Sequence, residues 1–170
     1  MWTGPPTEGN VVRVLESRRI MAQTDSIAEN LERVRERIAR AAGRAGRRAE
    51  EITIVAVSKT FPVEAILAAH AAGLPVVHEA FADRAYRADG SLVPRSEKGA
   101  VLQTEEDVRC QLRQLMMGYV TSVEGSSVPI QADSLCLHTD TPHAVSLARM
   151  IRHELESAGI RVAAMRNEPV

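Results

Sequence analysis

The chain has 170 residues, 45% apolar and 25% charged, a composition that suits one globular domain but a length short of the roughly 250 residues of a complete (β/α)8 barrel. Its formal charge is −1 with acidic and basic residues interspersed, which excludes a basic field for nucleic acid or anionic lipid, and 3% aromatics excludes a stacking platform for single strands. Small molecules and proteins are the expected partners, with no nucleic acid and no membrane, since no apolar run approaches spanning length.

The opening segment MWTGPPTEGNVVRVLESRRI lacks the apolar region of a secretory leader, and residues 1–20 are read as a disordered N-terminal extension. Cys110 and Cys136 form no C-x-x-C pair and are expected to be buried reduced thiols in a reducing cytoplasm, so a cytoplasmic location is expected. Ser26-Ile-Ala-Glu29 matches a capping box, and Ile27, Leu31, Val34 and Ile38 recur at helical spacing until Gly43 and Gly46. The β-branched run ITIVAV at 52–57 predicts a strand covered on both faces, as in a parallel sheet. Pro62 suits the first turn of a helix that faces Val63, Ile66 and Leu67 inward and stops at Gly73.

A second short strand is expected at 74–77, followed by a long polar loop over 82–99. Thr104 then starts a helix with Val108, Leu112, Leu115 and Met116 on one face and Gly118 near its end. Residues 120–123 and 128–130, separated by Glu-Gly-Ser-Ser, predict a hairpin. Residues 135–137 predict a short buried strand, which should share one sheet with 52–57. Pro142 opens a helix with Val145, Ala148, Ile151 and Leu155 inward, Gly159 closes it, a strand is expected at 160–164, and 166–170 form a tail. The alternation predicts α/β architecture with one β-hairpin.

Lys59 follows the predicted strand at its carboxyl end, where α/β folds place their chemistry. A partly desolvated lysine there can attack an aldehyde to form a Schiff base, although a lysine at a strand end is more often a solvated edge charge. The stretch ITIVAVSKTFPVEAI at 52–66 resembles the opening strand of the YggS-like pyridoxal-phosphate homeostasis proteins, in which the lysine of the V-A-V-S-K segment carries the cofactor. That resemblance covers residues 21–73 and implies pyridoxal phosphate on Lys59. The glycine-rich amides that bind the cofactor phosphate in that family are not recognisable here, which implies only a labile imine.

Downstream, Asp83 and Arg84 open the polar loop with Glu79, Tyr86, Asp89 and Arg95 nearby in sequence. Arg95 could hold a carboxylate through two parallel N–H bonds and Asp83 could accept a proton, or the charges could simply fix the loop. His138 and Asp140 flank Thr139 before the Pro142 helix and are suited to act as an acid/base pair beside an anion-binding helix terminus. Metal ligation by His138, Asp140 and His143 lacks a distant third ligand, and no metal is expected.

From GLPV at 73–76, through EAFADRAYRADGSLVPRS at 79–96 and SLCLHTD at 134–140, to GIRVAA at 159–164, the chain resembles the LamB/YcsF family, which provides the A subunit of bacterial 5-oxoprolinase. The resemblance implies the last third of a deformed α/β barrel, and hydrolytic opening of 5-oxoproline to glutamate with ATP and 5-oxoprolinase subunits B and C. It implies catalytic roles for Asp83, His138 and Asp140 and substrate binding by Arg84, Tyr86 and Arg95. Thr139 stands where the family has glycine in His-Gly-Asp, which crowds the site. The combined expectation is a hybrid: an incomplete (β/α)-barrel-like, mostly parallel sheet with one β-hairpin, built from two partial barrels. Its segments are a YggS-like unit at 21–73 and a LamB/YcsF segment at 74–165, and it is expected to be inactive alone. A pyridoxal-phosphate-binding protein and a catalytically silent fusion are the alternatives.

Overall fold

The computed structural model describes residues 8–138 and 143–165, with side chains described from Ser26 onward. The chain divides into two compact units, one holding residues up to Val76 together with Met165, the other Val77–Ala164. No helix among the described residues is long and apolar enough to cross a membrane.

The first unit is helical. Helix α1 spans Glu8–Arg44, a one-turn 3-10 helix spans Ala49–Glu51, and α2 spans Val63–Ala71 behind Pro62 at its N-cap. The start of α1 corrects two expectations: residues 8–20 are helical, and Ser26 lies inside the helix rather than capping it. The reason is that no glycine or proline interrupts residues 10–42, a stretch rich in Ala, Arg, Glu and Leu, so nothing forces the helix to begin at Ser26. Helix α2 packs on α1, and Gly73 follows it with φ +89°, where a Cβ would be strained. Ala68 is the buried residue of α2, whereas Val63 and Leu67, expected inward, are exposed.

The run 52–57 does not form the predicted strand. It is irregular, with Val55 and Val57 at 58% and 63% exposure, and Ile52 and Ile54 half-buried beside Ile38 and Ala39 of α1. A strand needs a neighbour to take its N–H and C=O groups, and among the described residues the first unit contains no other strand. The expected sharing of one sheet with 135–137 therefore fails, since 52–57 forms no strand. Lys59 sits exposed in the turn after this run, not at the end of a sheet strand.

The second unit is mixed α/β. Strand β1 (Glu79–Phe81) is followed by α3 (Glu105–Met116), β2 (Tyr119–Thr121), β3 (Ser127–Pro129), β4 (Ser134–Cys136) and α4 (Ala144–Ser157). β1 and β4 pair in parallel, with Glu79 opposite Ser134 and Phe81 opposite Cys136; β2 and β3 form the predicted antiparallel hairpin. One parallel and one antiparallel pair replace the expected mostly parallel sheet, and no closed barrel is present among the described residues. The strand expected at 74–77 lies instead at 79–81, past Pro75, which has no N–H to give a ladder. Residues 160–164 are irregular and exposed, not a strand.

The amphipathic face of α3 builds the core. Val108 and Leu112 are fully buried with Ala82, Leu147, Met150 and Ile151, while Leu115 joins Ala80, Tyr86, Val120 and Val128. Helix α4 turns Leu147, Met150 and Ile151 inward and leaves Val145 and Ala148 exposed, because the longer side chains bury more apolar area. Arg109 and Arg113 of α3 reach Glu154 of α4; burial pushes the Glu154 carboxyl up, but the hydrogen bond from Arg109 and the charges of both arginines outweigh it and hold it low. Cys110 lies on the outer side of α3 and is exposed, not buried as expected, and Cys136 is half-buried.

Thr104 caps α3: its hydroxyl oxygen accepts from the Asp107 N–H at 3.1 Å and donates to the Asp107 carboxyl at 2.6 Å. Thr104→Ala should cost about 1 kcal/mol, read as a lowered Tm of the second unit. In hydrogen exchange, the amides of 53–57 should exchange at rates close to an unfolded peptide while those of 108–115 are strongly protected; slow exchange at 53–57 would reveal a strand partner.

Candidate functional site

The parallel pair sets the site. Asp83 lies two residues beyond β1 and His138 two residues beyond β4, so the register that places Glu79 opposite Ser134 also brings these two side chains together. Both stand past the carboxyl ends of parallel strands, where backbone turns away from the ladder and side chains can converge. The Asp83 side chain is 0% exposed, and His138 is 22% exposed. The His138 Nδ1 lies 3.2 and 3.1 Å from the two carboxyl oxygens of Asp83, and the His138 main-chain N–H donates to the same group at 3.2 Å.

Removing a carboxyl group from water costs several kcal/mol, roughly, unless hydrogen-bond donors replace the water. His138 supplies two such donors from one residue. A carboxylate offers only acceptors, so the arrangement assigns the proton to Nδ1 and leaves the Nε2 lone pair as the exchanging position. The imidazole also stacks on Phe81, with ring centroids 5.6 Å apart and planes inclined by 9°. Ring orientation is thus fixed from the edge and from the face.

A second His–Asp pair closes the other end of the same ladder. The His78 main-chain N–H donates to the Asp133 carboxyl at 3.0 Å, its Nδ1 lies 3.0 Å from the same oxygen, and its carbonyl accepts from the N–H groups of Asp133 and Ser134. The main-chain N–H of His78, followed by its imidazole, holds the Asp133 carboxyl below its ordinary value. This pair is solvent-exposed, unlike Asp83 and His138.

The segment 82–99, expected as a polar loop, is buried along much of its first part. Ala82, Asp83, Arg84, Ala85 and Tyr86 are all buried, and isolated bridges join Arg84 to Val101 and Tyr86 to Leu92. The Arg84 guanidinium donates to the carbonyls of Ala100 at 3.1 Å and Val93 at 2.6 Å. The Tyr86 hydroxyl accepts from the Phe81 N–H at 2.8 Å, and burial pushes the phenol pKa up, partly opposed by that hydrogen bond. Arg84 and Tyr86, two of the three residues expected to bind substrate, are therefore engaged with main chain around Asp83.

Gln111 was not singled out by its sequence context, yet it is buried on α3 with its Nε2 within 2.9, 3.2 and 2.8 Å of the carbonyls of Phe81, Ala82 and Arg84. The available signal was an amide side chain one position before Leu112 within an otherwise apolar stripe. Arg95 is exposed on the turn that Pro94 begins. Asp140, Thr139, Thr141 and Pro142 lie outside the described residues, and α4 is described from its N-cap His143. Among the described residues no group of three His, Cys, Asp or Glu side chains could hold a metal ion.

The sequence model of the LamB/YcsF family matches residues 23–169. The A subunit of 5-oxoprolinase from Neisseria meningitidis serogroup A is 47% identical over 115 residues, covering 67% of this chain and 46% of that protein. The corresponding 5-oxoprolinase protein of Streptomyces avermitilis is 54% identical over 98 residues, covering 56% and 39%. The crystal structure of the lactam utilization protein from Thermus thermophilus superposes with a TM-score of 0.53 at 39% identity, over 59% of this chain and 40% of that one. The chain thus spans less than half the length of these relatives.

Tyr86→Phe removes the oxygen that accepts the Phe81 N–H and should destabilise the second unit by about 1–3 kcal/mol. Because the folded-state phenol pKa is raised, the hydroxyl's contribution is fully present below the unfolded value near 10.0 and is lost as pH rises through the folded value. The Tm gap between the wild type and Tyr86→Phe should therefore be constant up to about pH 9 and shrink above pH 10. A gap that stays constant at high pH would show that the phenol is not desolvated.

Proposed function

The chain belongs to the LamB/YcsF family, and we propose that its Asp83–His138 pair is the proton-transferring part of a site that opens the cyclic amide of 5-oxoproline. The observation that supports this reading is a fully buried carboxyl group on the Nδ1 side of a partly exposed imidazole, at the carboxyl ends of two parallel strands. Nε2 then takes a proton from water as the water oxygen bonds to the lactam carbonyl carbon. The same nitrogen returns the proton to the ring nitrogen as the C–N bond breaks, giving the open amino acid. Asp83 stabilises the imidazolium between the two transfers and keeps the ring in the productive tautomer.

By likeness to the 5-oxoprolinase relatives, the reaction takes ATP and runs with subunits B and C, while this chain alone is silent. Asp140, Arg84, Tyr86 and Arg95 belong to the same proposal as further acid/base and substrate-holding groups. Of these, Arg95 is exposed, and a guanidinium can pair with a substrate carboxylate through two parallel N–H bonds. The test combines the chain with subunits B and C, ATP and 5-oxoproline, and measures glutamate. Turnover should fall at least 100-fold in Asp83→Asn and in His138→Ala. Turnover unchanged in both variants would remove the pair from the chemistry.

A second reading rests on the V-A-V-S-K segment ending at Lys59 and on a division between the units at Val76, close to residue 73, where the YggS-like resemblance ends. In it, residues 21–73 are a YggS-like part joined to a LamB/YcsF part, and Lys59 forms an imine with pyridoxal phosphate. The LamB/YcsF match begins at residue 23 and so runs across this segment as well. Lys59 is exposed in a turn, and an exposed lysine has little to select the phosphorylated aldehyde. Imine absorbance titrated with pyridoxal phosphate and with pyridoxal should give equal, weak binding, lost in Lys59→Ala. A marked preference for the phosphorylated form would put this second reading first.

A further inference from the structure

Gln111 is the single polar residue among the four buried residues of α3, flanked on that face by Val108, Leu112 and Leu115. A leucine there would fill a similar volume in the core. What the amide adds is a donor group on which three carbonyls converge: Phe81 at 2.9 Å, Ala82 at 3.2 Å and Arg84 at 2.8 Å. The carbonyl missing from that set, Asp83, accepts from the Leu102 N–H at 2.9 Å. Every main-chain oxygen from Phe81 to Arg84 is therefore held, three of them by one side chain.

The consequence is geometric. After Ala82, whose N–H still donates to the Cys136 carbonyl at 3.3 Å, the chain leaves the ladder and curls so that the carbonyls of Phe81, Ala82 and Arg84 face α3, and the curl decides where the Asp83 Cβ points. Two amide hydrogens shared among three acceptors hold a turn in this shape more tightly than apolar packing would, since hydrogen bonds are directional and packing is not. Phe81, the first residue held, also carries the ring that stacks on His138. We infer that Gln111 is a positioning residue: it aims the Asp83 carboxyl at Nδ1 of His138 and so sets which imidazole nitrogen carries the proton. This rests on the reading of Asp83 and His138 as the proton-transferring pair.

The readout is the tautomer of His138, followed by long-range proton–nitrogen NMR on protein labelled with nitrogen-15 in histidine, at a pH where the ring is neutral. Wild type should show the Nδ1–H form, and Asp83→Asn should lose that preference. Gln111→Leu should also lose it, although Asp83 and His138 are both intact. Gln111→Asn, one methylene shorter and able to reach fewer of the carbonyls, should give an intermediate share and serves in place of Gln111→Leu if that variant does not fold. Leu31→Ala, a core substitution in the first unit, should lower Tm and leave the His138 signal unchanged; His78 and His153 should not respond to Gln111 substitution. A lowered Tm with an unaltered His138 tautomer in the Gln111 variants would make Gln111 a packing residue only and overturn the inference. If Asp83→Asn itself left the tautomer unchanged, the pair would fail as read and the inference with it.

Discussion

A carboxyl group with no exposure to water is the constraint around which the second unit is organised. Asp83 stays inside only because donors replace its hydration, and His138 delivers a ring nitrogen and a main-chain N–H to it. That requires β1 and β4 to run parallel in one particular register, since a slip of one residue would turn either side chain to the opposite face. The turn after β1 must also hold its shape, for which Gln111, Arg84 and Tyr86 spend their polar atoms on main chain. Arg84 and Tyr86, expected from the sequence to hold substrate, here hold the main chain around the Asp83 carboxyl.

The two His–Asp pairs at the ends of this ladder differ in burial. Both obey the same register, with the acid on the β1 side at one end and on the β4 side at the other. His78 and Asp133 meet in water, where such a pair contributes about 0–1 kcal/mol. Breaking the buried pair would leave an uncompensated polar group, a loss on the order of 3–5 kcal/mol. The same residue types at the same spacing thus make a solvated strand clasp in one place and a desolvated pair in the other.

The first unit shows the reverse situation, a segment with strong local preference and no partner. Its run of β-branched residues favours extended backbone, and Val55 and Val57 remain in water. Such a stretch is a template for strand addition, which native folds normally cover or charge. Nothing within its own unit meets that need among the described residues, because α1 and α2 offer side chains rather than free backbone.

Local chemistry was legible wherever an element's fate is decided within a few residues. Thr104 as a cap, the hairpin around residues 124–127, the short strand near 135 and the inward set Val108, Leu112 and Leu115 follow from capping, turn and periodicity rules, and the structure agrees. Asp83 and His138 were also singled out as candidates, although not as partners, because residues 55 apart meet only through a strand pairing that no local pattern encodes. Residues 52–57 and 160–164 are not strands for one reason: a strand exists only when another strand accepts its hydrogen bonds, and availability of that neighbour is a tertiary property. The same holds for Val145 and Ala148 against Leu147 and Met150, where two apolar stripes compete on one helix and the surface opposite chooses. Residue type and spacing determined which groups could do chemistry. Only the fold decided which of them are desolvated, which are consumed in holding the backbone, and which two face each other, because burial and register depend on segments far apart in the chain.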